Sequence, residues 1–354
     1  MLIVRFRHCK PNLLSVRRLS TGPETEVYIS RSNSPYFNLS FESYLFSRFP
    51  LDVNRRTLFL YTNSPCIVIG RNQNPYRELT SLSALRRHQL PLIRRRSGGG
   101  TVFHDTGNLN FCVMMPNSDF DRDVHALMIC NAVNNDLSSL GKKLVVNQRH
   151  DIVDETGKKV SGSAYKLERG KAYHHGTMLL NSQLSYISSM LHDPNQIRED
   201  SWQTVDGPGV ESVKSPVANV GLNMDLFISR LVSEFKRVYS SEHDGKNVRF
   251  VDENTLSDEE NAAIEKGCTQ LKTWKWTFGM SPKYTHNFFL SPPSPSTAAA
   301  VSFFIRDGIV ADFNSLNPLL ASRKNDIIGC WYRWSDLEPY IISDYWRQRL
   351  SRCI

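Results

Sequence analysis

The stretch RRRSGGGTVFHD, at positions 94–105, places three arginines against three glycines between segments of strand-like composition. Consecutive glycines cost conformational entropy, so a folded chain keeps them where the backbone turns sharply or approaches a ligand closely. Such a run between strands can aim successive N–H groups at one point and form an anion nest, and the adjacent guanidinium groups match phosphate. The stretch therefore predicts a phosphate or nucleotide site, and the competing interpretation is a solvated basic loop.

The segments around this junction alternate irregularly between helical and strand-like patterns. Ser34 and Pro35 predict a helix start, and Thr156–Gly157 and Asp307–Gly308 predict hairpin turns. Strands are predicted at TLFLYT (57–62), CIVIG (66–70), TVFHD (101–105) and LNFCVMM (109–115), helices at about 121–140, 223–240 and 258–266 with two more at the chain end, and an exposed loop at SPPSPS (291–296). This mixture predicts a mixed α/β (α+β) fold with a mixed, largely antiparallel sheet, and not a doubly wound domain.

Residues 1–23 hold five of the basic residues and no acidic one. Without them the net charge falls from +8 to +3, with 38 basic and 35 acidic residues remaining. An arginine-rich, acid-free and hydroxylated leader is typical of a mitochondrial transit peptide, which predicts location in the mitochondrial matrix. A disordered basic arm is the alternative, whereas a secretory signal is excluded because basic residues and Pro11 interrupt every apolar run in this leader.

Composition also argues against several functional classes. No apolar run approaches the roughly 18 residues that a membrane helix requires. After the leader the charge is near neutral and basic residues do not cluster on one predicted face, so nucleic acid is not an expected partner. Seven cysteines without CxxC spacing fit a reducing compartment and give no zinc site.

Two further stretches have the composition of a ligand site. KKVSGSAYK (158–166) places Lys159 and Lys166 around small residues, and strand alternation would put these lysines on opposite faces unless a bulge at Gly162 intervenes. AYHHGTMLL (172–180) carries His174 and His175, which predict a hydrogen-bonding or stacking role or a core histidine, and not a shared metal. GxSxG and HExxH are absent, so the sequence offers no hydrolase or zincin motif.

Taken in order, these stretches resemble the lipoate–protein ligase A and lipoyltransferase family. The resemblance includes NSPCIVIGRNQNPYREL (63–79), RHDIV (149–153), GVESVKSPVANV (209–220) and WKWTFGMSPKY (274–284), and it spans roughly residues 25–345. It implies the fold shared with biotin protein ligases, with a catalytic domain at 25–245 and a small C-terminal α/β accessory domain at 255–354. It also implies an activity: ATP and lipoate form lipoyl-AMP, and a lysine of a lipoyl domain then displaces AMP.

The resemblance further implies roles for individual residues. Lys159 would be the catalytic lysine, contacting both phosphate and acyl carbonyl. The adenylate would be bound by Arg95, Gly100, Thr101, Val102, Phe103, Asp151 and Lys159, with magnesium near Asp151. The lipoate would be bound by Ser97, Lys159, Lys166 and His175. The implied partners are lipoyl domains of 2-oxoacid dehydrogenase complexes and the glycine-cleavage H protein, and the chain is expected to be a monomer.

Two stretches depart from the bacterial pattern. Lys166 stands where bacterial ligases carry arginine, and Lys214 and Pro216 stand where many ligases carry arginines in an adenylate-binding loop. Lysine keeps the charge of arginine but loses its planar fork. Two activities therefore stay open: a complete ligase, or a lipoyl or octanoyl transferase that uses lipoyl-AMP, an acyl-CoA or a lipoylated donor protein.

Overall fold

The computed structural model describes residues 24–51, 54–79, 82–138, 141–186, 202–240, 248–290 and 298–354. The predicted leader and the predicted loop at 291–296 lie outside these ranges. Within them, no helix has the length and apolar composition needed to cross a bilayer.

Strands and short helices follow one another along the chain. The strands are β1 (Glu24–Ser30), β2 (Arg55–Thr62), β3 (Cys66–Ile69), β4 (Leu92–Arg94), β5 (Val102–His104), β6 (Asn108–Pro116), β7 (Val145–Val146), β8 (Ile152–Val153), β9 (Ser163–Glu168), β10 (Lys171–Leu179), β11 (Gln203–Asp206), β12 (Val248–Val251), β13 (Tyr284–Phe288), β14 (Val301–Arg306) and β15 (Ile309–Ser315). The helices are α1 (Pro35–Arg48), α2 (Pro75–Glu78), α3 (Leu82–Arg87), α4 (Arg122–Ser138), α5 (Met224–Tyr239), α6 (Asp258–Lys272), α7 (Pro318–Ala321), α8 (Lys324–Ile327), α9 (Trp334–Leu337) and α10 (Asp344–Cys353).

The largest sheet has the strand order β12-β1-β2-β6-β10-β9. β12, β1 and β2 run parallel, and the remaining pairs are antiparallel. Successive side chains alternate faces, so Leu58 and Leu60 pack toward α4 and α5, whereas Phe59 and Tyr61 pack toward α1 and α6. The mixed α/β fold with antiparallel pairing is therefore confirmed.

A three-stranded sheet, β4-β3-β5, carries the glycine junction. Its central strand is buried on both faces: Ile67 and Ile69 pack against the C-terminal sheet β11-β13-β14-β15, and Cys66 and Val68 pack toward α1 and α6. The sheet that carries the junction thus packs between the C-terminal sheet and the layer of α1 and α6, and the glycines themselves are half-buried.

Local sequence signals account for several element boundaries. Ser34 caps α1 by accepting a hydrogen bond from the Phe37 N–H, with Pro35 in the first turn. Asp307 and Gly308 both adopt positive φ, +54° and +76°, as a two-residue hairpin turn between β14 and β15 requires. These predictions are confirmed.

The expectation of two helices at the chain end is wrong. Four helices, α7 to α10, occupy residues 318–353, and three of them have only four residues. Gly329, at φ +93°, and Pro339 interrupt the helical pattern of residues 318–353 and divide it into shorter helices.

Candidate functional site

Arg95 fixes the shape of the glycine loop. Its Nη2 donates to the carbonyl oxygens of Gly98 and Gly100, both at 2.7 Å, and its Nε donates to Ser97 Oγ at 3.0 Å. Gly99 has φ +85°, and a Cβ there would lie 2.9 Å from Arg95 Nη2, so glycine is required at this position. Burial lowers the pKa of Arg95 to about 10, which leaves the guanidinium charged at neutral pH.

Arg94 has a structural role that the sequence did not reveal. It is fully buried, and it donates from Nε to the Trp276 carbonyl at 3.1 Å and from Nη2 to the Thr277 carbonyl at 2.7 Å. Its Nη1 donates to the carbonyls of Gly70 and Gln73. Burial lowers its pKa to about 9. This guanidinium ties the β3–β4 region to the segment that precedes β13.

Two cavities adjoin beside the glycine loop. One has a volume of about 330 Å³ and the other about 670 Å³. The residues that line both are Thr101, Val102, Lys159, Gly162, Thr177, Glu211, Ser212 and Val213. The smaller cavity extends to Arg95 and His175, and the larger one extends to Phe103 and Lys214. Lys159 therefore stands where the two cavities meet.

Lys159 forms an ion pair with Asp151. Its Nζ lies 2.6 Å from Asp151 Oδ1, and the two side chains are 23% and 14% exposed. Lys159 precedes β9, so the strand-parity argument that placed it opposite Lys166 does not apply. Its backbone N–H donates to the Pro216 carbonyl at 2.8 Å, and its carbonyl accepts from the Ala218 N–H at 3.1 Å. The lysine is thus positioned by the 209–220 segment.

The 209–220 segment also closes over the glycine loop. Ser212 Oγ accepts from the Thr101 N–H at 2.8 Å and from Gln73 Nε2 at 3.1 Å, and it donates to Glu78. Burial raises the pKa of Glu78, and hydrogen bonds from Ser212 and Thr101 oppose this shift. The hydroxyl of Ser212 therefore occupies one N–H group of the predicted phosphate cradle.

A buried chain of side chains reaches Ser97 from helix α1. Ser97 Oγ lies 2.7 Å from His175 Nε2, and His175 Nδ1 lies 3.0 Å from both Glu42 carboxylate oxygens. Tyr61 donates its phenol to Glu42 Oε2 at 3.2 Å. The residues Ser97, His175 and Glu42 are 1%, 7% and 3% exposed. The arrangement can hold a proton at a defined place beside the glycine loop.

Glu42 is a functional candidate that the sequence reasoning missed. The sequence of helix α1 is dominated by aromatic residues typical of a core, and Glu42 lies among them, one residue after Phe41 and four before Phe46. A carboxylate four residues from a buried aromatic residue points to the same face of the helix. That spacing was the signal that could have found it, since carboxylates are rarely buried without a partner.

Most predicted site residues converge on the paired cavities. Arg95, Gly100, Thr101, Val102, Phe103, Lys159 and His175 line one cavity or both, and Ser97 and Asp151 bond directly to lining residues. Lys166 lies apart: its Nζ is 2.5 Å from Glu168 Oε2, and it lines a third cavity. The geometry brings together the residues expected around phosphate and acyl carbonyl, and separates Lys166 from them.

Searches against known solved structures show the same fold. P. falciparum LipL1, solved in complex with lipoate, gives a TM-score of 0.61 at 22% identity and covers 92% of this chain and 98% of its own. A bipartite lipoate protein ligase from Thermoplasma acidophilum, solved with its E2 lipoyl domain, gives 0.57 at 22% identity, covering 73% and 97%. A lipoate-protein ligase A bound with ATP gives 0.55 at 23% identity, covering 73% and 99%.

Sequence comparison identifies the family. The family model described as the lipoyl protein ligase A/B catalytic domain matches residues 34–236. A Schizosaccharomyces pombe protein named "Putative lipoate-protein ligase A" is 38% identical over 282 residues, 74% of this chain and 72% of that protein. The lipoate-protein ligase A of Psychrobacter cryohalolentis is 33% identical over 73% of each. A match across more than half of the chain, with such identity to full-length relatives, means that this protein belongs to the lipoyl protein ligase A/B family.

Proposed function

We propose that this protein is a lipoate–protein ligase, which activates lipoate with ATP to lipoyl-AMP and transfers the lipoyl group to a lysine of a lipoyl domain. The observation that carries the proposal is the position of Lys159. An ammonium group where two cavities meet can contact an acyl group in one and a nucleotide phosphate in the other.

Each cavity suits one substrate. The smaller one is lined by Leu39, Tyr61 and Val68 as well as by Arg95 and His175, so it offers apolar walls with a polar end for an acyl chain. The larger one is lined by residues 101–103 and by Lys214, whose ammonium group suits a nucleotide phosphate. Related proteins solved with lipoate and with ATP support the binding of both substrates.

Both chemical steps develop negative charge beside Lys159. In the first, a lipoate carboxylate oxygen attacks the α-phosphorus of ATP and the bond to pyrophosphate breaks. In the second, the amine of the target lysine attacks the acyl carbonyl, loses a proton, and AMP leaves with the bonding electrons. The Lys159 ammonium stabilises charge on the phosphate and the acyl oxygen, and no nucleophile of this chain is required.

Asp151 fits a role in holding magnesium. Magnesium is usually bound by one or two carboxylates together with substrate phosphates. Within the described parts of the chain no three His, Cys, Asp or Glu side chains form a metal-binding group, so Asp151 would share the ion with phosphate oxygens. The ion would neutralise phosphate charge, and the Asp151–Lys159 contact would rearrange to accommodate it.

The acceptors of this activity would be the lipoyl domains of 2-oxoacid dehydrogenase E2 subunits and the glycine-cleavage H protein. The Thermoplasma relative solved with its E2 lipoyl domain supports acceptors of the lipoyl-domain type. The composition of residues 1–23 supports action in the mitochondrial matrix. We expect the enzyme to act as a monomer.

A transfer-only enzyme is the second candidate. Lys214 and Pro216, at the positions where many ligases have arginines, both line the larger cavity. Without these arginines, fewer bidentate hydrogen bonds to the triphosphate are available, and the affinity for ATP would be lower. Such an enzyme would take a lipoyl or octanoyl group from lipoyl-AMP, an acyl-CoA or a lipoylated donor protein.

Lipoate-dependent ATP–pyrophosphate exchange separates the two candidates. A complete ligase catalyses exchange, because adenylation is reversible while the adenylate stays bound. Absence of exchange, with transfer from supplied lipoyl-AMP or acyl-CoA to a lipoyl domain, would establish the transfer-only enzyme. Absence of both activities on any lipoyl-domain acceptor would refute the proposed function.

A further inference from the structure

A third cavity, of about 420 Å³, lies between α1, α6 and the end of the β9–β10 hairpin. It shares no lining residue with the two cavities beside the glycine loop, which are called the catalytic cavities below. The third cavity and the smaller catalytic cavity lie along one face of the β9–β10 hairpin. On that face the cross-strand pair Ala164–His175 lines the catalytic cavity, and the next pair, Lys166–Tyr173, lines the third cavity. The volume is within the range of small-molecule sites.

The cavity is strongly positive. Its charged lining residues are five cations and one carboxylate, a formal net charge of +4: Arg96, Lys166, Arg169, Lys171, Lys266 and Glu168. Glu168 forms an ion pair with Lys166, with 2.5 Å between Oε2 and Nζ, whereas its Oε1 lies 4.0 Å from Arg169 Nε. Among the described residues no carboxylate lies within ion-pair distance of Arg96, Lys171 or Lys266. The carboxylates of the described residues therefore do not neutralise the positive charge of this cavity.

The cations are held close to one another despite their repulsion. Lys171 is fixed by a hydrogen bond from Nζ to the Ser47 carbonyl at 2.9 Å and by its position over the Phe46 ring. Burial lowers the pKa of Lys171, Glu168 opposes that shift, and the nearby Arg169 and Lys166 lower it further. A bound anion would relieve this repulsion.

Arg96 is preorganised as an anion ligand. Its guanidinium stacks over the Trp276 ring at 4.9 Å, and Nη2 donates to Gln270 Oε1 at 2.6 Å. Its Nε is buried and has no hydrogen-bond acceptor. A fixed guanidinium beside several lysine point charges matches a tetrahedral, multiply charged phosphate group better than a single carboxylate.

We propose that this basic cavity is a separate binding site for a small, multiply charged phosphate compound. The catalytic site already described needs only the cations of its own cavities, so the proposal stands independently of the assigned activity. Because Arg96 follows Arg95 and Tyr173 packs against His175 with ring centroids 5.0 Å apart, an anion here would contact the wall behind the acyl cavity.

The test uses inorganic pyrophosphate as the probe, titrated calorimetrically into the full chain at about 50 mM salt, where surface charges are weakly screened. The test variant is Lys171→Gln with Lys266→Gln. The matched control is Lys143→Gln with Lys236→Gln, which changes the net charge equally at positions outside the cavity. We expect a pyrophosphate site whose affinity is lowered about tenfold or more in the test variant and unchanged in the control.

A third protein, Lys159→Ala, distinguishes this cavity from the catalytic ones. We expect pyrophosphate binding at the basic cavity to persist in it. Loss of the heat in Lys159→Ala but not in Lys171→Gln/Lys266→Gln would place the probe in the catalytic cavity and overturn the proposal. The absence of any heat with the wild-type chain would also overturn the proposal. So would a different result: an acidic carrier domain binds the wild-type chain, this binding is lost in the test variant, and pyrophosphate does not compete with it. If the double variant melts earlier than wild type, Arg169→Gln replaces it, because that side chain is 87% exposed.

Discussion

Ser97 has one hydroxyl proton and two lone pairs, and its neighbours decide where the proton points. Arg95 Nε–H uses one lone pair. If His175 is neutral and donates from Nδ1 to Glu42, Ser97 must donate to His175 Nε2. If His175 is an imidazolium paired with Glu42, it donates from both nitrogens, and the Ser97 hydroxyl can then donate to a different acceptor. Glu42 thereby acts as a positioning residue through His175.

Glu42→Gln should leave the fold intact and lower the rate of transfer. The amide removes the carboxylate charge that accepts from His175 Nδ1, so the imidazole and Ser97 lose part of what orients them, and we expect kcat to fall about tenfold to a hundredfold with a smaller change in KM for lipoate. Tyr61→Phe is the matched control: it removes one hydrogen bond to Glu42 but keeps the charge. Equal losses in the two variants, or full activity in Glu42→Gln and reduced activity in Glu42→Asp, would contradict this role.

Lys159→Ala should abolish most transfer while the protein remains folded. Loss of one contact to developing charge costs about 10²–10³ in rate. The measurement is lipoyl transfer to a lipoyl domain from supplied lipoyl-AMP, with circular dichroism and melting temperature to verify the fold. Lys158→Ala, at the exposed neighbouring position, is expected to keep wild-type activity. A Lys159→Ala enzyme as active as Lys158→Ala would refute the site assignment.

At the scale of elements, helix α4 and strand β10 meet through two buried histidines. His125 Nδ1 lies 3.2 Å from His174 Nδ1, and both side chains are almost fully buried. Burial lowers the pKa of His174 to about 4, and the neighbouring His175 and Arg122 add to that shift. Burial also lowers the pKa of His125 well below its usual value, and His174 lowers it further. The contact between the two elements therefore requires neutral imidazoles.

This pair predicts a loss of stability in mild acid. Above pH 6.5 both histidines are neutral in the folded and the unfolded chain, so their contribution is complete. As pH falls from 6.5 toward 4, the unfolded chain binds protons that the folded one cannot, and the free energy of unfolding should fall by about 1–2 kcal/mol per pH unit. Urea unfolding at pH 7.5, 6.5 and 5.5 measures this slope.

Two substitutions test the origin of the slope. His125→Asn keeps a hydrogen-bonding side chain but removes a titrating group, and we expect a shallower dependence on pH. His88→Asn, at an exposed histidine, should leave the dependence unchanged. A slope that is the same in all three proteins would assign the acid sensitivity to other groups.

Elements with short-range signals were predictable from the sequence, and contacts between distant elements were not. Ser34 with Pro35, and Asp307 with Gly308, carry their structural meaning in two residues. The separate roles of Arg94, Arg95 and Arg96 depend on which carbonyls, rings and cavities surround each one, and those neighbours lie up to 187 residues away. The roles of Ser212 and Glu42 were not predicted from the sequence for the same reason, because each depends on a partner on another element.

At the scale of the whole molecule, strand pairing does not follow the expected domain boundary. β11, at Gln203–Asp206, joins the C-terminal sheet through β13, and β12, at Val248–Val251, joins the largest sheet through β1. The C-terminal sheet also shares a hydrophobic core with Ile67, Ile69 and Phe103 of the glycine-bearing sheet. The expected boundary near 245–255 remains a prediction, and the pairing argues that the parts depend on each other.

A chain ending at residue 245 should therefore fail to fold cooperatively. It lacks β12, α6 and the Trp276 and Thr277 carbonyls that accept from Arg94, and it exposes the Ile67 and Ile69 face of β3. Removing partners from a buried charge can cost about 3–5 kcal/mol, a large fraction of ordinary stability. A chain lacking only residues 1–23 is the control, because it keeps every described contact. A cooperative thermal transition in the shorter chain at the control's melting temperature would show that residues 24–245 form an independent domain.

The contact between Arg94 and the Trp276 and Thr277 carbonyls spans 182 and 183 residues. A ribosome adding 5–20 residues per second needs roughly 10–40 s to cover that distance. During that time the Arg94 guanidinium lacks two of its carbonyl acceptors. Arg94 therefore links strand β4 to a late part of the chain, and its buried hydrogen bonds are complete only after residue 277 has been synthesised and has folded back onto the sheet.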